Sequence, residues 1–254
     1  MIDIHSHVLY ALDDGARTLE DSLAMVRMAA EHGTTDLVAT PHANPTYKFE
    51  PAKNAARLAE IQAQAGVPIN LQLGCDFHLS YDNIEDGVVN PRKYTIAQKN
   101  YLLVEFSDLI IFKNTPDIFA RLLDADMTPL ITHPERNSLL RQRIDEIAHW
   151  VEEGSRVQVT AQSITGDFGR RAQDFSQQLL DRGLVHVIAS DAHDVKHRPP
   201  MMDRAYRWLV ENYGEPTAQA LCIDNPGATL IGQPMAVPER NASSSGRKWY
   251  QVWR

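Results

Sequence analysis

The chain has 254 residues, of which 43% are apolar and 23% charged, a composition typical of a soluble globular protein with a sizeable core. Its 25 basic and 33 acidic residues give a net charge of −8, which argues against nucleic-acid binding because that needs a basic surface. Two cysteines, Cys75 and Cys222, cannot form a disulfide framework, so a reducing, cytoplasmic compartment is expected. Ten histidines beside the excess carboxylates make a metal centre the first hypothesis to test.

Neither a membrane span nor a signal peptide is predicted. The most apolar stretch, residues 101–112, is interrupted by Glu105 and Asp108 and is too short to cross a bilayer. The amino terminus, MIDIHSH, lacks the basic region and the apolar run of a signal peptide. We therefore do not expect an integral membrane protein.

Short apolar runs alternate with amphipathic stretches, at the spacing of βα units. Seven runs rich in Val, Ile and Leu are predicted as buried parallel strands, at residues 2–5, 36–40, 69–73, 101–106, 129–132, 156–160 and 185–189. The first predicted helix starts with a capping-box pattern at Thr18 and Asp21 and ends at Gly33. Four more helices are predicted at residues 52–65, 116–126, 144–153 and 172–182.

Seven strand–helix units favour a (β/α) barrel over an open sheet. The pattern contains no interdomain linker, so one domain is expected over residues 1–232. The remaining residues, 233–254, are rich in Pro, Ser and Gly and are predicted to form an irregular or mobile tail.

A His, Asp or Glu stands at the carboxyl end of six of the seven predicted strands. In a βα barrel these ends meet at one face, which carries the active site. A core would not tolerate this set unpaired, because burying unpaired charge is costly. The pattern therefore predicts a metal site on this face. Its candidate ligands are His5, His7, His42, Asp76, Glu105, His133, Asp191 and His193.

Each of these motifs also has a purely structural interpretation. His5 and His7 alternate along a strand and so point to one side, where they can bind one ion, although His-x-His also occurs by chance. A lone His42 or His133 could be a hydrogen-bonded core histidine. Asp14 of LDDGA either hangs over the same face or forms an Asp-Gly turn, a role that Asp13 fits at least as well. Because all of these residues are expected on one face of the barrel, binding of metal ions is favoured over the structural interpretations.

Two arginines follow candidate ligands, Arg136 after His133 and Arg198 after His193. Arginine forms bidentate bonds to phosphate oxygens and keeps its charge, although surface salt bridges would also explain both residues. Divalent ions beside arginines in an acidic protein suit an anionic phosphoester. Arg136 and Arg198 are therefore the candidate substrate-binding and catalytic residues, and Asp194 is a candidate proton donor.

The ordered motifs MIDIHSH…DDG, TPH, VEF, THPER and VIASDAH…RPP resemble the polymerase and histidinol phosphatase (PHP) superfamily. Within it they are most similar to the capsule-type bacterial protein-tyrosine phosphatases, from Met1 to about Gly232. The resemblance implies a distorted seven-stranded (β/α) barrel with three divalent ions at the C-terminal face of the strands. Manganese is the favoured ion, and iron, zinc or magnesium would fit the same ligands.

The resemblance also implies which residues share each ion. The implied sets are His5, His7, Asp76 and Asp191 for the first ion, Asp76, Glu105 and His133 for the second, and Asp14, His42 and His193 for the third. Arg136 and Arg198 match the phosphate-binding arginines. Where the family usually has Glu after the third strand, this chain has Asp76, which is one methylene shorter and implies a shifted bridge or a more weakly held second ion.

The implied activity is metal-assisted hydrolysis of phosphotyrosine on a membrane-associated bacterial tyrosine kinase that controls capsular polysaccharide and exopolysaccharide assembly. Recruitment of this cytoplasmic enzyme to the inner face of the membrane would then depend on that kinase, and an oligomer is compatible with the sequence. Three alternatives stay open: another phosphomonoesterase such as a histidinol phosphatase, a metal-dependent nuclease, and a non-catalytic partner of a kinase. A cysteine-nucleophile phosphatase is excluded, because no arginine follows Cys75 or Cys222 at the Cys-x5-Arg spacing.

Overall fold

The computed structural model describes residues 1–236, and each of the seven predicted strand regions forms a parallel strand there. Two of these regions continue, after a break, as a further short strand. The strands are β1 (Ile2–Ser6), β2 (Asp36–Ala39), β3 (His42–Ala43), β4 (Asn70–Leu73), β5 (Asp76–His78), β6 (Tyr101–Glu105), β7 (Thr128–Thr132), β8 (Arg156–Thr160) and β9 (Val187–Ala189).

The strands form two sheets, in the orders β1-β2-β4 and β3-β5-β6-β7-β8-β9. The predicted α/β class with parallel strands is confirmed. A closed seven-stranded barrel is not confirmed, because the described residues divide between these two sheets. The sheets meet where β1 contacts the chain after β9: the Asp191 amide donates to the His5 carbonyl at 2.9 Å, and the His7 amide donates to the Ala192 carbonyl at 2.8 Å.

The division between the sheets has a local cause at Pro41 and Gly74. Pro41 has no N–H to donate to a neighbouring strand, so β2 cannot continue through it. A Cβ on Gly74 would lie 3.1 Å from Val38 Cγ1 and 3.2 Å from Thr40 Cγ2, closer than most real contacts. The chain resumes as β3 and β5, which pair His42 directly with Asp76. These two candidate ligands therefore begin short strands instead of following longer ones.

All five predicted helices are present, and several short ones were not predicted. The capping box is confirmed: the Asp21 amide donates to Thr18 Oγ1 at 3.2 Å, and the Thr18 amide donates to Asp21 Oδ2 at 3.1 Å. The helices are α1 (Leu19–Glu31), α2 (Pro51–Gln64), α3 (Tyr81–Val89), α4 (Thr115–Asp124), α5 (Ile144–Glu152), α6 (Ala161–Ile164), α7 (Arg170–Asp181), α8 (Asp203–Tyr213), α9 (Glu215–Gln219) and α10 (Asn225–Ile231).

Apolar side chains from both sheets share one core cluster. It contains Ile4 and Val38 from the first sheet and Leu103, Leu130 and Val187 from the second, all fully buried. Burying such side chains is the main favourable term in folding, so this shared core holds the two sheets together. No helix within residues 1–236 is long and apolar enough to cross a membrane.

The first four residues of the predicted tail, 233–236, lack regular structure but are hydrogen-bonded to the domain. The Tyr101 hydroxyl donates to the Gln233 carbonyl at 2.9 Å, and the Ala236 amide donates to Asn225 Oδ1 at 2.8 Å. The rest of the predicted tail, residues 237–254, lies outside the described residues.

His186 is expected to make the fold less stable in acid. Its side chain is fully buried, Nδ1 accepts a hydrogen bond from the Val157 amide at 3.3 Å, and Nε2 has no partner within residues 1–236. Burial, together with the charge of Arg156, lowers the pKa of His186 from 6.5 to about 3. Between pH 6.5 and about 3, the unfolded chain binds a proton at His186 that the folded chain does not. The free energy of unfolding therefore falls as the pH falls through this range.

The substitution His186→Asn keeps an acceptor near the Val157 amide and removes the titration. We expect the pH dependence of its free energy of unfolding to be shallower than that of the parent below pH 6.5, by up to about 1.4 kcal/mol per pH unit. Urea denaturation at a series of pH values measures this difference. His149→Asn is the matched control, because the His149 side chain is exposed. Parallel curves for the parent and His186→Asn would refute the expectation.

Candidate metal centre

The centre of the site is a histidine pair on and just after β1. His5 and His7 are both buried, and their Nε2 atoms lie 3.4 Å apart, as their alternation along the strand predicts. The other ring nitrogen of each histidine is held in place: His5 Nδ1 lies 3.1 Å from Gln158 Oε1, and His7 Nδ1 lies 2.8 Å from Asp13 Oδ2. Both Nε2 atoms are thereby directed at a shared point, as in histidines that bind metals.

Two buried carboxylates face this pair. Asp191 Oδ1 lies 3.4 Å from His5 Nε2 and 3.5 Å from His7 Nε2. Asp76 Oδ2 lies 3.6 Å from His5 Nε2 and 3.2 Å from His42 Nδ1. Neither oxygen of Asp76 accepts a hydrogen bond from the described residues. A buried carboxylate without hydrogen bonds needs a compensating cation, so this donor set fits divalent metal ions.

The structure brings all nine candidate ligands together. They form four overlapping groups, and within each group one ligand atom per residue lies within 4.8 Å of the others. The groups are His7, Asp14, His42 and His193; His5, His7 and Asp76; His5, His133 and Asp191; and His42, Asp76 and Glu105.

The position of His133 differs from the ligand sets implied by the family resemblance. The resemblance places His133 with Asp76 and Glu105, whereas here His42 joins those two carboxylates and His133 lies with His5 and Asp191. His133 Nε2 is 4.0 Å from Glu105 Oε1 and 3.9 Å from Asp191 Oδ2. His133 thus lies between two groups.

Asp13 and Asp14 divide two roles between them. Asp14 Oδ1 lies over the cluster, 3.4 Å from His42 Nε2 and 3.5 Å from His193 Nε2. Asp13 takes the turn role, with Oδ1 accepting the Gly15 amide at 3.0 Å, and its Oδ2 also holds His7. Only glycine fits at position 15, because a Cβ there would lie 2.1 Å from the His7 carbonyl oxygen. The LDDG motif therefore orients one ligand and supplies another.

Two candidate ligands have strained backbones. His133 has φ of 33° and Asp191 has φ of 52°, in the left-handed region that residues other than glycine rarely adopt. Amide hydrogen bonds of 2.9 Å from His133 to the Gln158 carbonyl and from Asp191 to the His5 carbonyl hold them there. Such strain costs about 1–3 kcal/mol per residue and clusters at functional sites.

The protonation states of several groups already suit metal binding. Burial opposes the charge of Asp191, but the neighbouring cations, His5 first, hold its pKa well below the usual range. Burial lowers the pKa of His133 to about 3, reinforced by Arg136, and that of His193 to about 4, reinforced by His7. Metal ligands must be ionised carboxylates and neutral imidazoles, and Asp191, His133 and His193 supply them.

His7 and His42 differ from the other two histidines in the metal-free cluster. Burial lowers the pKa of His7, but Asp13 outweighs it and raises that pKa to about 9. Burial is likewise outweighed at His42, where Asp14 and Asp76 raise the pKa to about 11. Both imidazoles hold a proton at neutral pH, and metal binding must displace it.

Arg136 and Arg198 meet at the edge of the cluster. Arg136 Nη1 and Arg198 Nη2 both donate to Asp191 Oδ2, the latter at 2.5 Å. Each arginine is about a quarter exposed or less, so each can also reach an anion in the mouth of the site. Within residues 1–236 the salt bridges of both arginines go to the buried Asp191 and not to a surface carboxylate.

Asp194 does not have the geometry of a proton donor. Its Oδ1 accepts the amides of Lys196 and His197, both at 2.6 Å. Burial would raise its pKa, but these backbone hydrogen bonds lower it below its usual value, so the carboxyl group stays ionised near neutral pH. Its role in the structure is to form the turn.

Of the seven predicted strands, the one without a candidate ligand at its end forms β8, and β8 nevertheless contacts the site. Its Gln158 holds His5, and the loop after α6 places the Phe168 ring 4.6 Å from the guanidinium carbon of Arg136. Phe168 covers one face of the arginine that already bonds Asp191. Sequence reasoning missed both residues, because a glutamine within a strand and a phenylalanine in a loop carry no chemical signal by themselves.

Replacing Phe168 with Leu is expected to lower the kcat/KM for the phosphoester hydrolysis that the family resemblance implies by about 2- to 30-fold, the range for loss of a cation–π contact. The reason is that Arg136 would lose the ring that restricts its guanidinium group. Metal content should be unchanged, since Phe168 belongs to none of the four ligand groups. Phe168→Tyr keeps the aromatic face and is the matched control. Equal activity of the Leu and Tyr variants would show that the ring face is unimportant.

The two cysteines are unsuited to nucleophilic catalysis. Both thiols are fully buried. Burial raises the pKa of Cys222 to about 12 and holds the pKa of Cys75 well above its usual value. A thiolate is the reactive form of cysteine, so the geometry agrees with the exclusion made from the spacing of the sequence.

Comparison with known proteins identifies a family. A sequence model of the family described as "Capsular polysaccharide synthesis, CpsB/CapC" matches residues 1–231. CapC of Staphylococcus aureus is 33% identical over 210 residues, covering 81% of this chain and 82% of that protein. The tyrosine-protein phosphatase YwqE of Bacillus subtilis is 34% identical over 218 residues, covering 84% of this chain and 85% of that protein.

A solved structure gives the same result. It comes from work on YwqE of Bacillus subtilis and CpsB of Streptococcus pneumoniae, described there as unique metal-dependent tyrosine phosphatases. It matches with a TM-score of 0.88 and 31% identity, covering 94% of this chain and 97% of that chain. Since sequence and fold agree over almost the whole length, the protein belongs to the CpsB/CapC family of capsular polysaccharide synthesis.

Proposed function

We propose that this protein is a metal-dependent protein-tyrosine phosphatase, a phosphoric monoester hydrolase that acts on phosphotyrosine. The observation that carries the proposal is the single cluster of nine potential metal ligands with two arginines bonded to one of them. The named activity of YwqE, which is 34% identical to this chain, supports this activity over that of a histidinol phosphatase.

We assign the nine clustered residues as ligands of three divalent ions. The ligand atoms are imidazole nitrogens and carboxylate oxygens without sulfur, which suits manganese and also accommodates iron, zinc or magnesium. When bound, such ions lower the pKa of a coordinated water so that hydroxide can form at neutral pH. The overlap of the four groups supports a multinuclear site, because His5, His7, His42 and Asp76 each belong to two of them.

Arg136 and Arg198 would bind the phosphoryl group of the substrate. Each directs one nitrogen to Asp191 and keeps further N–H donors for phosphate oxygens. Asp191 would hold both guanidinium groups in place between turnovers, so that little rearrangement is needed when phosphate enters. A tyrosine leaving group has a pKa of about 10, below that of an alkyl alcohol, and so needs less help from a general acid.

The proposed substrate is phosphotyrosine on a bacterial tyrosine kinase that regulates capsular polysaccharide assembly, and the family to which the chain belongs supports this. The enzyme would act in the cytoplasm, at the inner face of the membrane where such a kinase is anchored. The domain that carries this activity would be residues 1–232, with the two sheets as a distorted (β/α) barrel and residues 233–254 as a tail. The hydrogen bonds between β1 and the chain after β9 support this arrangement of the sheets.

The deciding experiment uses protein purified without chelators. Its metals are identified and counted, and its turnover of a phosphotyrosine peptide is compared with that of histidinol phosphate in the presence of manganese. We expect about three ions per chain and a preference for the peptide. A tenfold or greater preference for histidinol phosphate would overturn the tyrosine-phosphatase proposal. Release of nucleotides from DNA would favour the nuclease alternative, and no turnover of any phosphoester by the metallated protein would favour a non-catalytic role.

A further inference from the structure

A cavity of about 350 Å³ opens beside the proposed metal centre, and Asp14 and His193 form part of its wall. Arg17 and Lys196 also line this cavity. We propose that this cavity is a subsite for an acidic side chain of the substrate polypeptide, adjacent to the phosphotyrosine. The proposal rests on the proposed function, because it assigns the cavity to the same substrate.

Arg17 and Lys196 are two cations in the wall of this cavity. Neither side chain forms an ion pair with any residue in the described range 1–236. Arg17 also directly precedes the N-cap residue Thr18 of α1. The dipole of a helix disfavours a cation at this end, so the stability of α1 does not account for the arginine.

The carboxylates in the same wall are already used within the protein. Asp21 Oδ2 accepts the amides of Arg17 and Thr18, at 3.2 Å and 3.1 Å. Asp194 Oδ1 accepts the amides of Lys196 and His197. These bonds fix the backbones that carry the two cations and leave the cationic groups free for a ligand. A site whose backbone is fixed before binding loses less entropy when the ligand arrives.

The cavity suits an anionic group that is part of a substrate polypeptide. With the phosphoryl group at the metal centre, a small phosphomonoester without a second anionic group offers no further charge to Arg17 and Lys196. A polypeptide with Glu or Asp near the phosphotyrosine presents a carboxylate to both cations.

The test compares two phosphotyrosine peptides that differ only in having Glu or Gln beside the phosphotyrosine. The metal-loaded parent is expected to prefer the Glu peptide by about 3- to 10-fold in kcat/KM, mainly through KM, as expected for two exposed ion pairs. High salt should reduce this preference. The double variant Arg17→Gln/Lys196→Gln should lose it while hydrolysing p-nitrophenyl phosphate at the parental rate.

The matched control is Lys53→Gln/Arg170→Gln, which removes two cations that form ion pairs outside the cavity. The control should keep the preference for the Glu peptide. Equal turnover of the two peptides by the parent, or a preference that persists in the Arg17→Gln/Lys196→Gln variant, would overturn the subsite. Failure of the parent to hydrolyse both peptides and p-nitrophenyl phosphate would instead overturn the proposed function. In that event calorimetric binding of the Glu and Gln peptides tests the subsite, and equal affinities would refute it.

Discussion

Removal of divalent metal by a chelator is expected to abolish phosphatase activity and to lower the melting temperature by roughly 5–10 °C. Ions that bind only the folded state, at a free concentration of 100 times their Kd, stabilise that state by about 2.7 kcal/mol. Without them, the buried Asp76 carboxylate has no hydrogen bond from the described residues. Turnover of a phosphotyrosine peptide and calorimetric melting, before and after chelation, measure the two effects.

Adding manganese back should restore both activity and melting temperature, which separates metal loss from irreversible damage. A chelator already saturated with metal is the control for effects of the chelator itself. Activity that persists after elemental analysis has found the protein to be free of metal would refute the metal-dependent mechanism. Full activity with an unchanged melting temperature would show that the cluster has no role in catalysis or folding.

The substitution Asp191→Asn is expected to lower kcat/KM by at least about 100-fold and to reduce metal content, because even changes to the partners of a ligand cost 10- to 100-fold. Asp191 is surrounded by His5, His7 and His133 and also accepts bonds from Arg136 and Arg198. Replacing this carboxylate by a neutral amide would therefore weaken a set of metal ligands and release both arginines. Metal analysis and phosphotyrosine turnover on the same preparation measure the two effects together.

Arg198→Ala separates these effects, since it should impair turnover while leaving metal content intact. Metal loss in this variant would instead give Arg198 a structural role. Asp145→Asn is the control for loss of an Asp–Arg pair, because Asp145 bonds Arg182 at 2.6 Å on the exposed surface. Normal metal content and turnover in Asp191→Asn would remove Asp191 from the site.

Most of the candidate site could be predicted because its information is local. His5 and His7 point to one side since a strand alternates its side chains, and the residues at the ends of β6 and β7 gather because parallel strands end at one edge. The capping box at Thr18 and Asp21 was predictable for the same reason, since the two residues that complete it lie within one helical turn. Patterns of this kind need no knowledge of distant contacts.

The partners that orient the ligands could not be predicted. Gln158 holds His5 across 153 residues of sequence, and Phe168 reaches Arg136 from a loop after a short helix that had not been predicted. The bond between His7 and Asp13 spans only six residues, yet the pattern of the sequence was equally consistent with a simple turn. Such pairs depend on how separate loops pack together.

The sequence by itself determined the parallel α/β class, the chemical nature of the site and the positions from which its residues come. Only the tertiary structure decided that the strands divide at Pro41 and Gly74 into two sheets, which pairs His42 with Asp76 and places His133 between two groups. The physical reason is the distance along the sequence over which each kind of interaction acts. Side-chain type and strand period act within a few residues, whereas the direction of a ligand is fixed by hydrogen bonds and close contacts between segments far apart in the chain.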